Sequence, residues 1–324
     1  MLTLLVNPAA GGGRAQRRAH ALHAALLRHR VGDVSLVHTT QRGDERRLAA
    51  EATGRGARLL VVVGGDGSVH HAARGLLEAG GTLPLAIVAG GTGNDFVKSL
   101  DAPAHDVDAM AARIAQALTA KTLTTQMLTT DAHGGASPLR RIDVGVIDDV
   151  PFVNAAGMGF DVVVLERMTQ HAAGAAGSRT IGGGTVAYVS TALGALFGYP
   201  GFDATLSVHD APATPTSRRH LLTVFANGRC FGGAFRIAPT AHLHDGLLDI
   251  VDIGALSSGA RLGVFARATR GAHLGHGAVT HARTAHTTVT CAEPPAFEAD
   301  GELYRARDRV VQVTVRPGAL TVLG

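Results

Sequence analysis

The chain has 324 residues, a formal charge of +4, 46% hydrophobic but only 4% aromatic residues, no Trp and two Cys. That length suffices for two domains with cores of their own, and two cysteines, Cys230 and Cys291, exclude a disulfide framework and offer no metal-ligand spacing. The basic balance, nearly all arginine with Lys98 and Lys121 as the only lysines, suits anionic phosphates or an anionic bilayer surface, whereas few rings to stack bases and no recognised motif argue against nucleic acid.

Met1 leads straight into an apolar strand over residues 2–6, without the charged start or cleavage site of a secretory signal, so a cytoplasmic location is expected. Asn7, Pro8, Ala9, Ala10, Gly11, Gly12 and Gly13 then turn the chain into an amphipathic helix. The Lys-Ser or Lys-Thr ending of a P-loop is absent, as is dinucleotide-binding spacing. Arg14, Arg17 and Arg18 at the helix start are either solvated or placed to neutralise phosphate.

Residues 59–69, LLVVVGGDGSV, are a buried strand ending in Gly64, Gly65 and Gly67 wrapped around one carboxylate, Asp66. Glycine backbone lets N–H groups approach a polyphosphate closely, and Asp66 can hold a magnesium ion or orient a reacting group. His70 and His71 follow, either touching nucleotide or packing and capping the next helix. Residues 84–100, PLAIVAGGTGNDFVKSL, repeat the pattern, a strand running into Gly90, Gly91, Thr92, Gly93, Asn94 and Asp95. In an open parallel sheet, loops leaving the carboxyl ends of neighbouring strands face one crevice, so the pair of loops points to a kinase. Phosphoryl transfer asks mainly for positioning and for stabilisation of spread negative charge.

The α/β pattern runs to about residue 128. Beyond it, residues 204–210, 220–227, 234–240 and 309–324 read as short alternating runs between Gly, Pro and Asp turns, which predicts a mostly antiparallel domain over 129–324 whose last strand returns to pack on domain 1–128. The uncharged stretch 180–202 is broken by glycines and Pro200 to roughly a dozen helical residues, short of the ~20 a bilayer requires. It reads as a buried helix over the second domain's sheet or, with the Gly/Ala segment 172–177, as the border of an apolar channel for acyl chains. His273, His276, His281 and His286 fit no zinc spacing and read as a histidine-rich surface loop. The triplet Asp300-Gly301-Glu302 is either a hairpin turn or the supplier of a proton acceptor, and which of the two carboxylates is proximal stays open.

NPAAGGG, GGDGSVHHAARGL, AIVAGGTGNDFVKSL, IDVGVID, FVNAAGMGFDVVV, VFANGRCFGGAFRIAPTAHLHDGLLDIV and FEADGELY stand in that order along nearly the whole chain. Together they resemble the diacylglycerol kinase catalytic family, in its bacterial soluble lipid-kinase branch, related to sphingosine and ceramide kinases and, through GGDG, to NAD kinases and phosphofructokinases. The resemblance implies a Rossmann-like α/β N-terminal domain and a β-sandwich C-terminal domain. It implies an ATP- and Mg2+-dependent kinase acting on a lipid alcohol at the inner face of the membrane, diacylglycerol first and a sphingoid base, ceramide or other lipid alcohol behind it. A soluble-substrate kinase such as an NAD kinase shares only the GGDG loop, and a catalytically silent sensor would be expected to have lost Asp66 or Glu302. Oligomeric state is open, a homodimer included.

By the same resemblance, Asn7, Pro8, Ala9, Ala10, Gly11, Thr39, Gly64, Gly65, Asp66, Gly67, Ser68, Val69, His70, Thr92, Gly93 and Asn94 line the ATP site. Asp66, Asp95 and Asp143 form an acidic cluster for metal and transfer, and Glu302 is the base, with Asp300 beside it. Arg14, Lys98 and Arg179 are cations near the phosphates. A structural magnesium site falls on Asp245, with His242 and Leu247 contributing backbone carbonyls. Ser68 stands where threonine is usual and Gly12 where some relatives are basic, Arg14 substituting from one turn away; His242 stands where relatives often carry an aliphatic or acidic residue.

Overall fold

The computed structural model describes residues 1–119, 138–174, 194, 196–209 and 216–324. The chain divides into two compact units, one of residues 1–144, 243–245 and 316–324 and one of residues 145–242 and 246–315.

In the first unit, β1 (Leu2–Val6), β2 (Val34–His38), β3 (Leu59–Gly64) and β4 (Leu85–Ala89) run parallel in the order β2-β1-β3-β4. Every residue of β1, β3 and β4 is buried, so these strands read as apolar runs interrupted only by Thr3, as covering on both faces demands. Helices α1 (Arg14–Arg28), α2 (Asp44–Gly54), α3 (Asp66–Glu78) and α4 (Val107–Thr119) make the crossovers. α1 buries Ala15, Ala19, Leu22, Ala25 and Leu26, a helical stripe that turns most of its arginines outward.

The second unit is antiparallel. Its strands are β6 (Val150–Phe152), β7 (Ala155–Gly159), β8 (Phe202–Val208), β9 (Thr216–Ala226), β10 (Leu248–Gly254), β11 (Val279–Thr284), β12 (His286–Cys291), β13 (Ala296–Ala299) and β14 (Glu302–Arg305). β5 (Leu139–Ile147) and β15 (Val310–Leu323) each have residues in both units; Val322 of β15 pairs in parallel with Leu85 of β4. The order is β14-β13-β7-β9-β8-β12-β15, with β10 and β11 continuing from β9. Alternation along β9 divides two cores: Leu222 and Val224 join Phe160, Val251 and Phe265, while Phe225 joins Phe152, Ile250, Phe297 and Val313. Helices α5 (Phe160–Gly174) and α6 (Ser258–Ala268) contribute Val164 and Val264 to the first of these cores.

Two expectations are corrected. Residues 234–240 are not a strand: Gly232 and Gly233, at φ 61° and 79°, turn the chain so that only Phe231 and Phe235 bridge, and the backbone continues in turns. The histidines do not form a surface loop. His273 has no exposure, its Nε2 meets the Ile237 carbonyl at 3.0 Å, and burial lowers its imidazole pKa from the ordinary value. His281 lies on β11 and His286 on β12, the latter stacked on His209 with ring centroids 4.3 Å apart. Most of the proposed 180–202 helix lies outside the described residues, as do residues 175–177 of the Gly/Ala segment; among those described, no helix is long and apolar enough to cross a membrane.

One polar cluster stands inside the second unit. Asp252, 1% exposed, takes His220 Nδ1 at 2.7 Å, Thr223 Oγ1 at 2.8 Å and Arg218 Nη2 at 2.5 Å, while His220 Nε2 meets the Ala204 carbonyl at 3.1 Å. Burial pushes the Asp252 carboxyl up, but the His220 and Arg218 charges and the Thr223 hydroxyl together hold it below the ordinary carboxylate value. A depressed folded pKa stabilises above the unfolded carboxylate value, about 3.9, and that contribution is lost as pH falls through the folded one. Asp252→Asn is expected to cost about 3–5 kcal/mol at neutral pH and to flatten the acid limb of stability, read by urea unfolding between pH 7 and pH 2.

Candidate active site

The carboxyl ends of β1, β3 and β4 open into three turns whose backbones interlock. The Gly64 carbonyl accepts the N–H groups of Gly90 at 2.7 Å and Gly91 at 3.2 Å. A Cβ on Gly90 would stand 2.7 Å from the Ala15 Cβ, and one on Gly91 would stand 2.5 Å from the Gly65 Cα. Gly11, at φ +59°, lies so close to the Gly90 carbonyl that a Cβ would approach its oxygen to 2.1 Å. These glycines are therefore required first for the turns to reach one another.

Asp66 closes the arrangement. Its Oδ2 accepts the Asn94 N–H and its Oδ1 the Asp95 N–H, both at 2.7 Å, so the first residue of α3 straps down the loop after β4. Asn94, itself at φ 50°, bonds Gly91 in both directions, Oδ1 accepting at 3.1 Å and Nδ2 donating to the carbonyl at 2.9 Å. Asp95 pairs with Lys98 at 2.7 Å. Asn7 crosses from β1, its Nδ2 donating to Ser68 Oγ at 3.0 Å and to Glu45 Oε1 at 3.1 Å while its Oδ1 accepts the Ala9 N–H at 3.2 Å. Glu45, 2% exposed on α2, is a partner that no local pattern announces.

The GGDG segment is shorter as a loop than it reads. Only Gly65 separates β3 from α3, so Gly67 is helical and Ser68, Val69 and His70 are buried within the helix. Thr39 is buried, its N–H on the Val6 carbonyl at 3.0 Å, whereas Thr92 is exposed and Pro8 and Gly93 are half-buried. Ala9 is exposed and Ala10 half-buried in the turn before α1, which Arg14 begins. Arg18 is committed to structure, donating to the Ala89 carbonyl and, at 3.3 Å, to that of His105. Both α1 and α3 start at a glycine N-cap with no side-chain cap. Each presents the positive end of its dipole, which suits an anion.

Asp143, 2% exposed on β5, accepts the Gly318 N–H at 2.7 Å and donates its own N–H to the Leu243 carbonyl at 2.6 Å. In the second unit, Asp300, at φ 51° and 8% exposed, accepts the N–H groups of Val153 at 2.9 Å, Asn154 at 2.8 Å and Ala155 at 3.2 Å. Its two oxygens thus hold backbone. Glu298 Oε2 accepts the Gly301 N–H at 2.6 Å, and Glu302 follows half-buried at the start of β14. His242 and Asp245 are exposed and Leu247 half-buried on the turns before β10; among the described residues no three His, Cys, Asp or Glu side chains group to hold a metal. Arg179 lies outside the described residues.

Residues 1–127 match the family model described as diacylglycerol kinase catalytic domain, and residues 158–324 match the YegS C-terminal NAD kinase beta sandwich-like domain. A diacylglycerol kinase of Mycobacterium tuberculosis is 30% identical over 99% of this chain and 94% of its own length. A probable lipid kinase YegS-like of Pseudomonas aeruginosa is 28% identical over 88% of this chain and 82% of its own. Among solved structures, a putative diacylglycerol kinase from Bacillus anthracis shares the fold with a TM-score of 0.72 at 20% identity, covering 99% of this chain and 96% of that one.

Asp66→Asn turns one acceptor of the strap into a donor facing an N–H. It is expected to cost about 1–3 kcal/mol in urea unfolding and to speed amide exchange at Asn94 and Asp95 ahead of the sheet. Unchanged exchange at those two amides would contradict the strap.

Proposed function

We propose, from the premise that the chain belongs to the diacylglycerol kinase family and is a lipid kinase, that it transfers the γ-phosphate of ATP to the free hydroxyl of diacylglycerol, giving phosphatidic acid. The observation that carries the nucleotide half is the interlocked glycine backbone with two uncapped helix starts, α1 and α3, at its edge. Such a surface cradles phosphate through N–H groups and dipoles alone. Diacylglycerol is favoured as the acceptor by the names of the relatives.

In this reading Asn7 to Gly11 and the turns at Gly65 and Gly91–Asn94 receive the phosphates, and Arg14 and Lys98 offset their charge. Asp66 keeps the two turns in register, and Asp95 holds Lys98. Magnesium bound with the nucleotide would be held by Asp66 and Asp95 and would neutralise charge on the phosphates. Asp245, an exposed carboxylate, is the candidate ligand for a separate structural magnesium. Glu302 takes the proton of the acceptor hydroxyl. Asp300, its oxygens engaged by three backbone N–H groups, orients the turn that carries Glu302.

The test is transfer of labelled γ-phosphate from ATP with magnesium to a panel of lipid alcohols in mixed micelles. Diacylglycerol is expected to be labelled, and Glu302→Gln to lower kcat about 10²- to 10⁴-fold with little change in KM for ATP. Labelling of a sphingoid base or ceramide in its place would overturn the acceptor, and a Glu302→Gln enzyme within fivefold of the parent would overturn the base.

A further inference from the structure

Two carboxyl groups are buried beside the Asp300 turn and no step above uses them. β7 pairs with β13, Gly157 opposite Glu298, and α5 starts directly after β7 with Asp161 in its first turn. A Cβ on Gly157 would stand 1.8 Å from Asp161 Oδ2 and 3.1 Å from Glu298 Oε1, so both acids crowd the space that a missing side chain leaves. Asp161 is 8% exposed and Glu298 2%. Among the described residues no side chain donates a hydrogen bond to either oxygen of Asp161, while Glu298 spends Oε2 on the Gly301 N–H at 2.6 Å. Two adjacent carboxylates so placed cannot both stay ionised without a large penalty.

We infer that Asp161 and Glu298 hold one proton between them, Asp161 as donor, and that this pair is a positioning device that fixes the Gly301 N–H and through it Glu302. The inference rests on the reading of Glu302 as base. Burial, with only the N–H groups of Asp161 and Val162 opposing it, pushes the Asp161 carboxyl up to about 7, which leaves a proton on the pair below neutral pH. Above that, the second charge sets the two acids against each other. The other ionisable groups on the packed elements are Glu302, Tyr304 and Arg305 on β14, Glu166 and Arg167 on α5 itself, and Arg218, Arg219 and His220 on β9, which pair with Asp252 and Asp203; Tyr199 adds a phenol pushed up to about 12 by burial first and the Asp161 charge next. Opposite Gly157 and Gly159, β9 presents Val224 and Leu222, which do not titrate.

The experiment uses full-length protein as wild type, Asp161→Asn, Asp161→Ala and Glu302→Gln. Infrared spectra at pH 7 are expected to contain a protonated-carboxyl carbonyl band that Asp161→Asn removes and that fades by pH 9. Exchange of the Gly301 amide is expected to rise at least tenfold in Asp161→Ala and to stay near wild type in Asp161→Asn, whose amide can still donate to Glu298. With diacylglycerol as acceptor, kcat should fall more than tenfold in Asp161→Ala and only a few-fold in Asp161→Asn, with KM for ATP steady. In the wild type kcat should fall above about pH 7, the pKa to which burial pushes Asp161, and that fall should be absent from Asp161→Asn. Absence of the band, or Gly301 exchange equal in all Asp161 forms, would overturn the pair. Should Asp161→Ala not fold, the Asn variant decides through the band and the pH profile. Undiminished turnover by Glu302→Gln would instead remove the base while the band and Gly301 exchange, which need no turnover, still judge the proton.

Discussion

A carboxylate that gives both of its oxygens to the backbone of another loop is the constraint on which the first unit's site depends. Asp66 begins α3 and ties down Asn94 and Asp95, so the turns after β3 and β4 keep one spacing. The turns can approach that closely only because Gly64, Gly65, Gly90 and Gly91 bring backbone against backbone. Hydrogen bonds of amides to an ionised acceptor are among the stronger ones, and here they act on two consecutive N–H groups. Packing of the glycines and charge on Asp66 are thus one device.

The second unit uses the same chemistry. Asp300 gathers three N–H groups from residues 153–155, and Glu298 takes that of Gly301. Both carboxylates hold the chain in a conformation, positive φ at Asp300 and Gly301, that it would not keep alone. What this rigid turn presents is the side chain that follows it, Glu302. In both units, then, several acids that look reactive in the sequence are occupied in holding backbone, which leaves fewer groups to handle protons.

Burial explains why some readings were open to inspection and others were not. Strands β1, β3 and β4 are apolar but for Thr3 because both faces are covered, and β9 alternates because its two faces feed two cores. Such patterns follow from one residue's relation to its neighbours in the chain. The segment 234–240 has comparable apolar content, yet among the described residues no strand lies alongside it, and a strand is defined by its partner. His273 likewise reads as a surface residue in a Gly- and His-rich stretch, but the carbonyl of Ile237, far away in sequence, receives its Nε2 in the interior.

The sequence by itself determined the fold class and the lipid-kinase family, because apolar runs, glycine turns and the ordered motifs are local and survive without a partner. It also marked Asp66, Asp300 and Glu302 as residues of interest. Tertiary structure alone decided their division of labour: Asp66 and Asp300 clamp backbone segments 28 and about 147 positions away, Asn7 reaches Glu45, and Asp161 meets Glu298 over a glycine. A carboxylate's role depends on which donors surround it and how much water is left, and both are set by residues that the fold brings in from distant parts of the chain.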